Sequence, residues 1–158
     1  MKAYENLEYA HRGGRPLCLD LFVPAKAEAP VPLLMGIPGG GWRVSERAAI
    51  PPFMIEDGFA MARIDYRVKD GEIGPANIHD CKTALRFLKS SAGRYGLDAS
   101  RVGIFGASAG GHLAALMGTS IGVAELEGPD HVGFGSDVQA VCAVCGPSEA
   151  EPSGPGAS

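Results

Sequence analysis

The feature that most narrows the fold is the passage from Val102-Gly103-Ile104-Phe105 straight into Gly106-Ala107-Ser108-Ala109-Gly110-Gly111. It continues, with no polar spacer, into a segment rich in Ala, Leu and Met that runs to about Ser120. The four apolar residues read as a short buried strand, and the Ala/Leu/Met segment as a helix packed tightly on a sheet. A strand that becomes a helix within about one residue needs small neighbours, because the two backbones pass at close range. Five of the six linking residues are Gly or Ala.

The rest of the chain supplies a sheet for this unit to join. Tyr4 to Ala10 and Pro16 to Val23 are rich in Leu, Tyr, Phe and Val and are joined by His11-Arg12-Gly13-Gly14-Arg15, which predicts an antiparallel hairpin. After a polar linker, Leu33-Leu34-Met35-Gly36-Ile37 is an unbroken apolar run, as in a strand covered on both faces, and Pro38-Gly39-Gly40-Gly41-Trp42 ends it sharply. Pro51-Pro52 predicts the first turn of a short helix to Asp57 closed by Gly58, and Phe59 to Asp65 a further strand. From Asn77 to Tyr95, Ile78, Cys81, Leu85, Leu88, Ala92 and Tyr95 recur at spacings of three and four, with Asp80, Lys82, Arg86 and Lys89 on the other faces. That is an amphipathic helix stopped by Gly96. Val138 to Val144 predicts one more strand. This alternation predicts an α/β fold, a three-layer α/β/α sandwich on a mostly parallel sheet of about six strands led by an antiparallel hairpin.

Composition bounds the domain and its partners. Residues 1–147 suit one domain, whereas 148–158 are polar and rich in Pro and Gly with no large apolar side chain, predicting a disordered tail. A net charge of -4 with scattered basic residues argues against nucleic acid and against a polybasic membrane patch, leaving neutral or weakly charged small molecules as substrates. No run approaches the roughly 20 apolar residues of a membrane span, and the amino terminus lacks the apolar core of a signal peptide, so a cytoplasmic location is expected. Cys142-Ala-Val-Cys145 has the spacing of redox and zinc motifs but sits in an apolar strand, where residues three apart face opposite sides. Two small buried hydrophobes are the expectation, with no metal and no cofactor.

Gly106-Ala107-Ser108-Ala109-Gly110 matches Gly-x-Ser-x-Gly in the strand-to-helix context where that motif carries chemistry. The turn holds Ser108 strained with its hydroxyl exposed, and the following helix points free N–H groups at the site. A second Gly-rich corner, Gly39-Gly40-Gly41, follows an earlier buried strand. Its N–H groups, with that of Ala109, could form an oxyanion hole, in which each donor is worth about a hundred- to a thousand-fold in rate. A phosphate loop would require Lys and then Ser or Thr after Gly111, and His112-Leu113 stands there instead.

Taken together, the Gly-Gly-Gly-Trp corner, Asp65-Tyr66-Arg67, Pro75 to Lys82, Tyr95-Gly96-Leu97-Asp98 and Gly106 to Leu113 resemble the carboxylesterase and lipase branch of the α/β-hydrolases. That branch includes enzymes similar to hormone-sensitive lipase and to acetyl-xylan and feruloyl esterases. The resemblance runs from about residue 5 to Pro147 and implies a serine hydrolase of small-molecule carboxylic esters acting through an acyl-enzyme. It makes Ser108 the nucleophile and Gly40, Gly41 and Ala109 the oxyanion donors. Two departures are visible. Pro38 replaces the His that usually precedes the glycines, and the acid and His that this fold places on later loops have no clear counterpart, so the domain reads as a truncated α/β-hydrolase. His131, near Asp130 and Asp137, is the in-chain base candidate in the usual order after the serine; His112 reads as helix packing. The alternative is a catalytically silent fragment or binding module. The apolar strand near Val138 to Val144 would then be an exposed edge, through which a homodimer is expected.

Overall fold

The computed structural model of the chain describes residues 1–26, 30–68 and 74–148. The expected tail beyond residue 148 lies outside the described residues. Strands β1 (Lys2–Arg12) and β2 (Arg15–Val23) form the hairpin, paired antiparallel from Lys2 opposite Val23 to Arg12 opposite Arg15. Then come β3 (Val31–Ile37), α1 (Pro52–Glu56), β4 (Ala60–Ile64), α2 (Pro75–Ser90), α3 (Ala92–Tyr95), β5 (Leu97–Ala107), α4 (Ala109–Thr119), α5 (Ala124–Glu127) and β6 (Ala140–Val144). They form one six-stranded sheet in the order β1-β2-β4-β3-β5-β6, in which β4, β3, β5 and β6 are mutually parallel.

This order explains the layers. From β3 the chain moves one way, to β4, and from β4 it crosses back over β3 to β5 and on to β6. Right-handed crossovers taken in opposite directions put their helices on opposite faces. Thus α2 and α4 share one face, while α1 alone lies on the other, with Met54 near Leu34 and Met61. The α2/α4 face holds most of the core: Leu33, Met35, Ile37, Ile104, Leu85, Leu88, Leu113 and Met117 are all buried. The reversal also leaves a crevice between the C-terminal ends of β3 and β5, where open α/β sheets bind ligands.

Two expectations change. The long helix is two, because the chain breaks at Ser91 (φ -98°, ψ 6°) before the turn of α3. Its charged residues are not a solvated face either. Lys82, Arg86 and Lys89 are buried, because the segment between α4 and β6 folds over them. Lys82 Nζ donates to Ser120 O (2.6 Å) and Glu127 Oε1 (2.7 Å), Arg86 Nη1 to Glu127 Oε2 (2.9 Å), and Lys89 Nζ to Asp137 O (2.7 Å).

Cys142 and Cys145 are exposed, against the expectation of burial. β6 is the sheet edge and all five of its residues are exposed; Cys145 leaves it in a turn with φ 50°. Among the described residues, no helix is long and apolar enough to cross a membrane, and no cluster of three His, Cys, Asp or Glu side chains could hold a metal ion.

Candidate active site

The crevice between β3 and β5 brings together the two Gly-rich corners. Ser108 is the single residue between β5 and α4, with φ 55° and ψ -124°. An L-residue in so sparsely populated a region costs on the order of 1–3 kcal/mol and persists only where the surroundings impose it. Here they do. Ser108 N–H donates to Val144 O (2.9 Å), and His112 N–H to Ser108 O (3.0 Å), gripping the residue from β6 and from the helix. Gly110 has no room for a side chain, since a methyl there would run into Ile37 O and the Pro38 carbonyl.

A serine at a helix N-cap ordinarily turns its hydroxyl onto the first-turn amides. Ser108, with non-helical φ 55° and ψ -124°, makes no such bond, and the residue is exposed. Both the hydroxyl and the N–H groups it would have capped are therefore left over. The Ala109 N–H, first in the helix, has no acceptor within α4, and among the described residues it donates to none elsewhere.

Gly39-Gly40-Gly41 stands beside this turn. A methyl on Gly39 would lie 2.9 Å from Ala107 O and 3.5 Å from Ser108 Cβ, so the two corners are in van der Waals contact. Gly40 (φ 110°) and Gly41 (φ 59°) adopt left-handed backbone, followed by Trp42 at φ 58°. Gly40 O accepts Arg43 N–H (3.0 Å) and Val44 N–H (3.3 Å), closing the corner. Among the described residues the N–H groups of Gly40 and Gly41 have no acceptor. Three unpaired amides next to an exposed, uncommitted hydroxyl is an arrangement suited to nucleophilic attack with stabilisation of an oxyanion.

Residues that the sequence marked only as a motif, with no role, hold the corner. Tyr66, fully buried, donates from its hydroxyl to Pro38 O (3.0 Å). Burial raises its pKa, so the hydroxyl keeps the proton it donates. Support of the kind a side chain before the glycines would give thus comes from the end of the neighbouring strand β4, and Pro38 is tolerated. The neighbouring residues are also committed: Asp65 Oδ1 accepts Cys18 N–H (2.9 Å), and Arg67 makes a two-pronged pair with buried Asp80 (Nε to Oδ2 2.8 Å, Nη2 to Oδ1 2.8 Å). Asp65-Tyr66-Arg67 is therefore a clasp, visible in sequence only as a recurring motif. Asp80 is an ion-pair partner, as its place on the helix allowed.

The histidines divide clearly. His131 lies in the segment between α4 and β6, where its ring stacks edge-on against Phe87 of α2 (5.8 Å) and its neighbour Asp130 pairs with Arg12. His79 bonds Glu125 O (2.8 Å) and His11 pairs with Glu8 (3.1 Å). His112 stays near Ser108, and its Nδ1 bonds Pro147 O (2.9 Å). Among the described residues no side chain hydrogen-bonds Ser108 Oγ.

On the α1 face a cavity of about 470 Å³ opens beside the elbow, lined by Gly39, Arg47, Phe105, Ala107, Cys142 and Val144 among others. The Arg47 guanidinium is already held by Asp20 (2.5 Å) and Asp65 (3.4 Å), so it offers little charge to an anion. A larger cavity of about 670 Å³, near Val31 and Pro52, lies at the far end of β3 and has no part in this arrangement.

The fold and this crevice define an α/β-hydrolase. The chain belongs to the BD-FAE family, which it matches over residues 19–153. It is 32% identical to esterase LipC of Mycobacterium tuberculosis over 121 residues, which is 74% of this chain and 30% of LipC. It is 34% identical to the probable carboxylic ester hydrolase LipM of the same organism, over 69% of this chain and 28% of LipM. The chain thus spans about three-tenths of the length of these relatives. Among solved structures it resembles a truncated form of a carbohydrate esterase from gut microbiota (TM-score 0.82, 30% identity, 93% of this chain and 57% of that one). It also resembles butyrate-bound esterase 2 of Thermogutta terrifontis (TM-score 0.71, 26% identity, 86% and 51%).

Proposed function

We propose that this chain carries the nucleophile and oxyanion hole of a carboxylic ester hydrolase. Ser108 Oγ attacks the ester carbonyl carbon, its proton passes to a base, and the carbonyl oxygen, now negative, is received by the N–H groups of Gly40, Gly41 and Ala109. Collapse expels the alcohol and leaves an acyl group on Ser108, which water removes. The observation that carries this reading is the pairing of an exposed, uncapped Ser108 with three unpaired amides. The cavity beside the elbow, mostly apolar apart from Glu46 and an Arg47 already paired with Asp20 and Asp65, supports small-molecule esters as substrates. The esterase names of its relatives support the same class.

The experiment is labelling with a fluorophosphonate, with the modified peptide located by mass spectrometry. An adduct on Ser108, absent from Ser108→Ala, is expected; a folded sample that stays unlabelled refutes the nucleophile. A second reading, a catalytically silent chain, is favoured by one observation: no described histidine reaches Ser108 Oγ. Loss of a triad base costs on the order of a million-fold in kcat. Hydrolysis of p-nitrophenyl acetate above buffer, lost in Ser108→Ala, excludes that reading.

The open β6 edge, exposed along its length, supports pairing with a second copy about a twofold axis. Light scattering checks it: the mass of two chains agrees, and a single-chain mass at high concentration contradicts it.

A further inference from the structure

His112 is the polar side chain of α4 that makes long-range contacts on both sides of the elbow. Its Nδ1–H donates to Pro147 O (2.9 Å), so the ring is fixed in one orientation by the turn that follows β6. The same ring meets the Trp42 indole edge to face, with centroids 5.8 Å apart and planes at 81°. Trp42 follows directly on Gly41 and is itself held at φ 58°. The turn after β6 is pressed onto the same helix: a methyl on Gly111 would lie 2.7 Å from Val144 O and 3.1 Å from Gly146 Cα. The strand just before that turn supplies, through Val144 O, the carbonyl that grips Ser108 N–H. One imidazole therefore touches the three pieces whose relative placement sets the site: the elbow helix, the glycine corner and the turn after β6.

We propose that His112 is a positioning residue, which sets the direction of the Gly40 and Gly41 amides toward Ser108 by tying Trp42 and Pro147 to the first turn of α4. Its hydrogen bond and its ring contact make separate contributions. A displacement of about 1 Å in a catalytic group costs on the order of a hundredfold in rate, and an unbraced glycine corner has that freedom. The proposal rests on the reading of Ser108 as nucleophile.

Three variants separate the parts. His112→Ala removes both contacts, His112→Asn keeps a donor toward Pro147, and His112→Phe keeps a ring against Trp42. The readouts are the saturation kinetics of fluorophosphonate labelling and the emission of Trp42, the sole tryptophan of the chain. His112→Ala is expected to lower the maximal labelling rate about ten- to a hundredfold with reagent affinity within about twofold, and to shift Trp42 emission to longer wavelength. His112→Asn should recover part of the rate, and His112→Phe should recover the emission but not the full rate. Wild-type labelling rate in His112→Ala overturns the proposal. So does an equal loss in all three variants that follows their melting temperatures, which would make His112 structural only. If the wild-type chain itself does not label, the nucleophile falls and the role of His112 with it; normal labelling with unshifted Trp42 emission removes the brace alone.

Discussion

The two ends of the parallel sheet are built from similar materials and treat them in opposite ways. At the end where α4 and β6 are joined, the buried cations of α2 meet acceptors, although Arg86 Nε is left without one. Glu127 alone receives Lys82, Arg86, Ser136 Oγ (2.8 Å) and Gly122 N–H (3.1 Å). At the end where β5 meets α4, three backbone donors and a hydroxyl have no hydrogen-bond partner among the described residues. Buried polar groups are almost always satisfied within the protein, whereas Gly40, Gly41 and Ser108 are exposed and open to a ligand. The contrast marks the first end as a fastening and the second as a place prepared for a ligand.

This comparison can be broken first at its matched end. Glu127→Ala leaves Arg86 and Lys82 buried without their carboxylate, the latter fully inaccessible. Removing one partner of a buried pair costs 3–5 kcal/mol, and about 3 kcal/mol is expected here because Lys82 keeps Ser120 O. Urea unfolding measures it. Fluorophosphonate labelling of the folded variant should be unchanged, since the elbow is at the other end of the sheet.

Gly110→Ala tests the crowding behind the elbow. Its methyl meets backbone of Ile37 and Pro38 that cannot rotate away, so a loss of about 1–3 kcal/mol is expected, as for overpacked cores, together with loss of labelling. A stable, normally reactive variant would mean that the two corners are not in contact.

Acid should loosen the matched end. Burial pushes the Glu127 carboxyl up, but hydrogen bonds from Lys82 and Ser136 outweigh it and hold its pKa below the ordinary value. The Lys89 hydrogen bond lowers Asp137 in the same way. A group with a depressed folded pKa stabilises fully above its unfolded pKa, about 4, and loses that contribution as pH falls through the folded value. The urea midpoint should therefore drop below about pH 4, less steeply in Glu127→Gln; identical slopes would remove Glu127 from the account.

The smallest effect is expected of Tyr66→Phe, which deletes one hydrogen bond to Pro38 O. About 1 kcal/mol of stability should go with it, with slower labelling. Unchanged kinetics would show that Pro38 needs no support.

Much of the reactive end was legible in the residues. Gly106 to Gly110 dictates a tight strand-to-helix turn, and the triple-glycine corner after β3 dictates another; the strand order then places them side by side. The fastening was not legible, because Lys82, Arg86 and Lys89 have the spacing of a solvated helix face. Their burial depends on a polar segment some forty residues later folding back over them, a long-range event with no local signal. The exposure of Cys142 was hidden for a related reason: an apolar run fits the middle of a sheet, and only the strand order reveals that β6 is its edge. Tyr66 reaches Pro38 from the end of the neighbouring strand β4, a pairing that no spacing along the chain announces.

The central claim is that Ser108 Oγ is aimed at the unpaired amides. The most direct measurement is a crystal structure of the phosphonylated protein. A phosphoryl oxygen about 3 Å from the N–H groups of Ala109 and of Gly40 or Gly41 is predicted. An adduct oxygen turned to solvent, with those amides still unbonded, would contradict it.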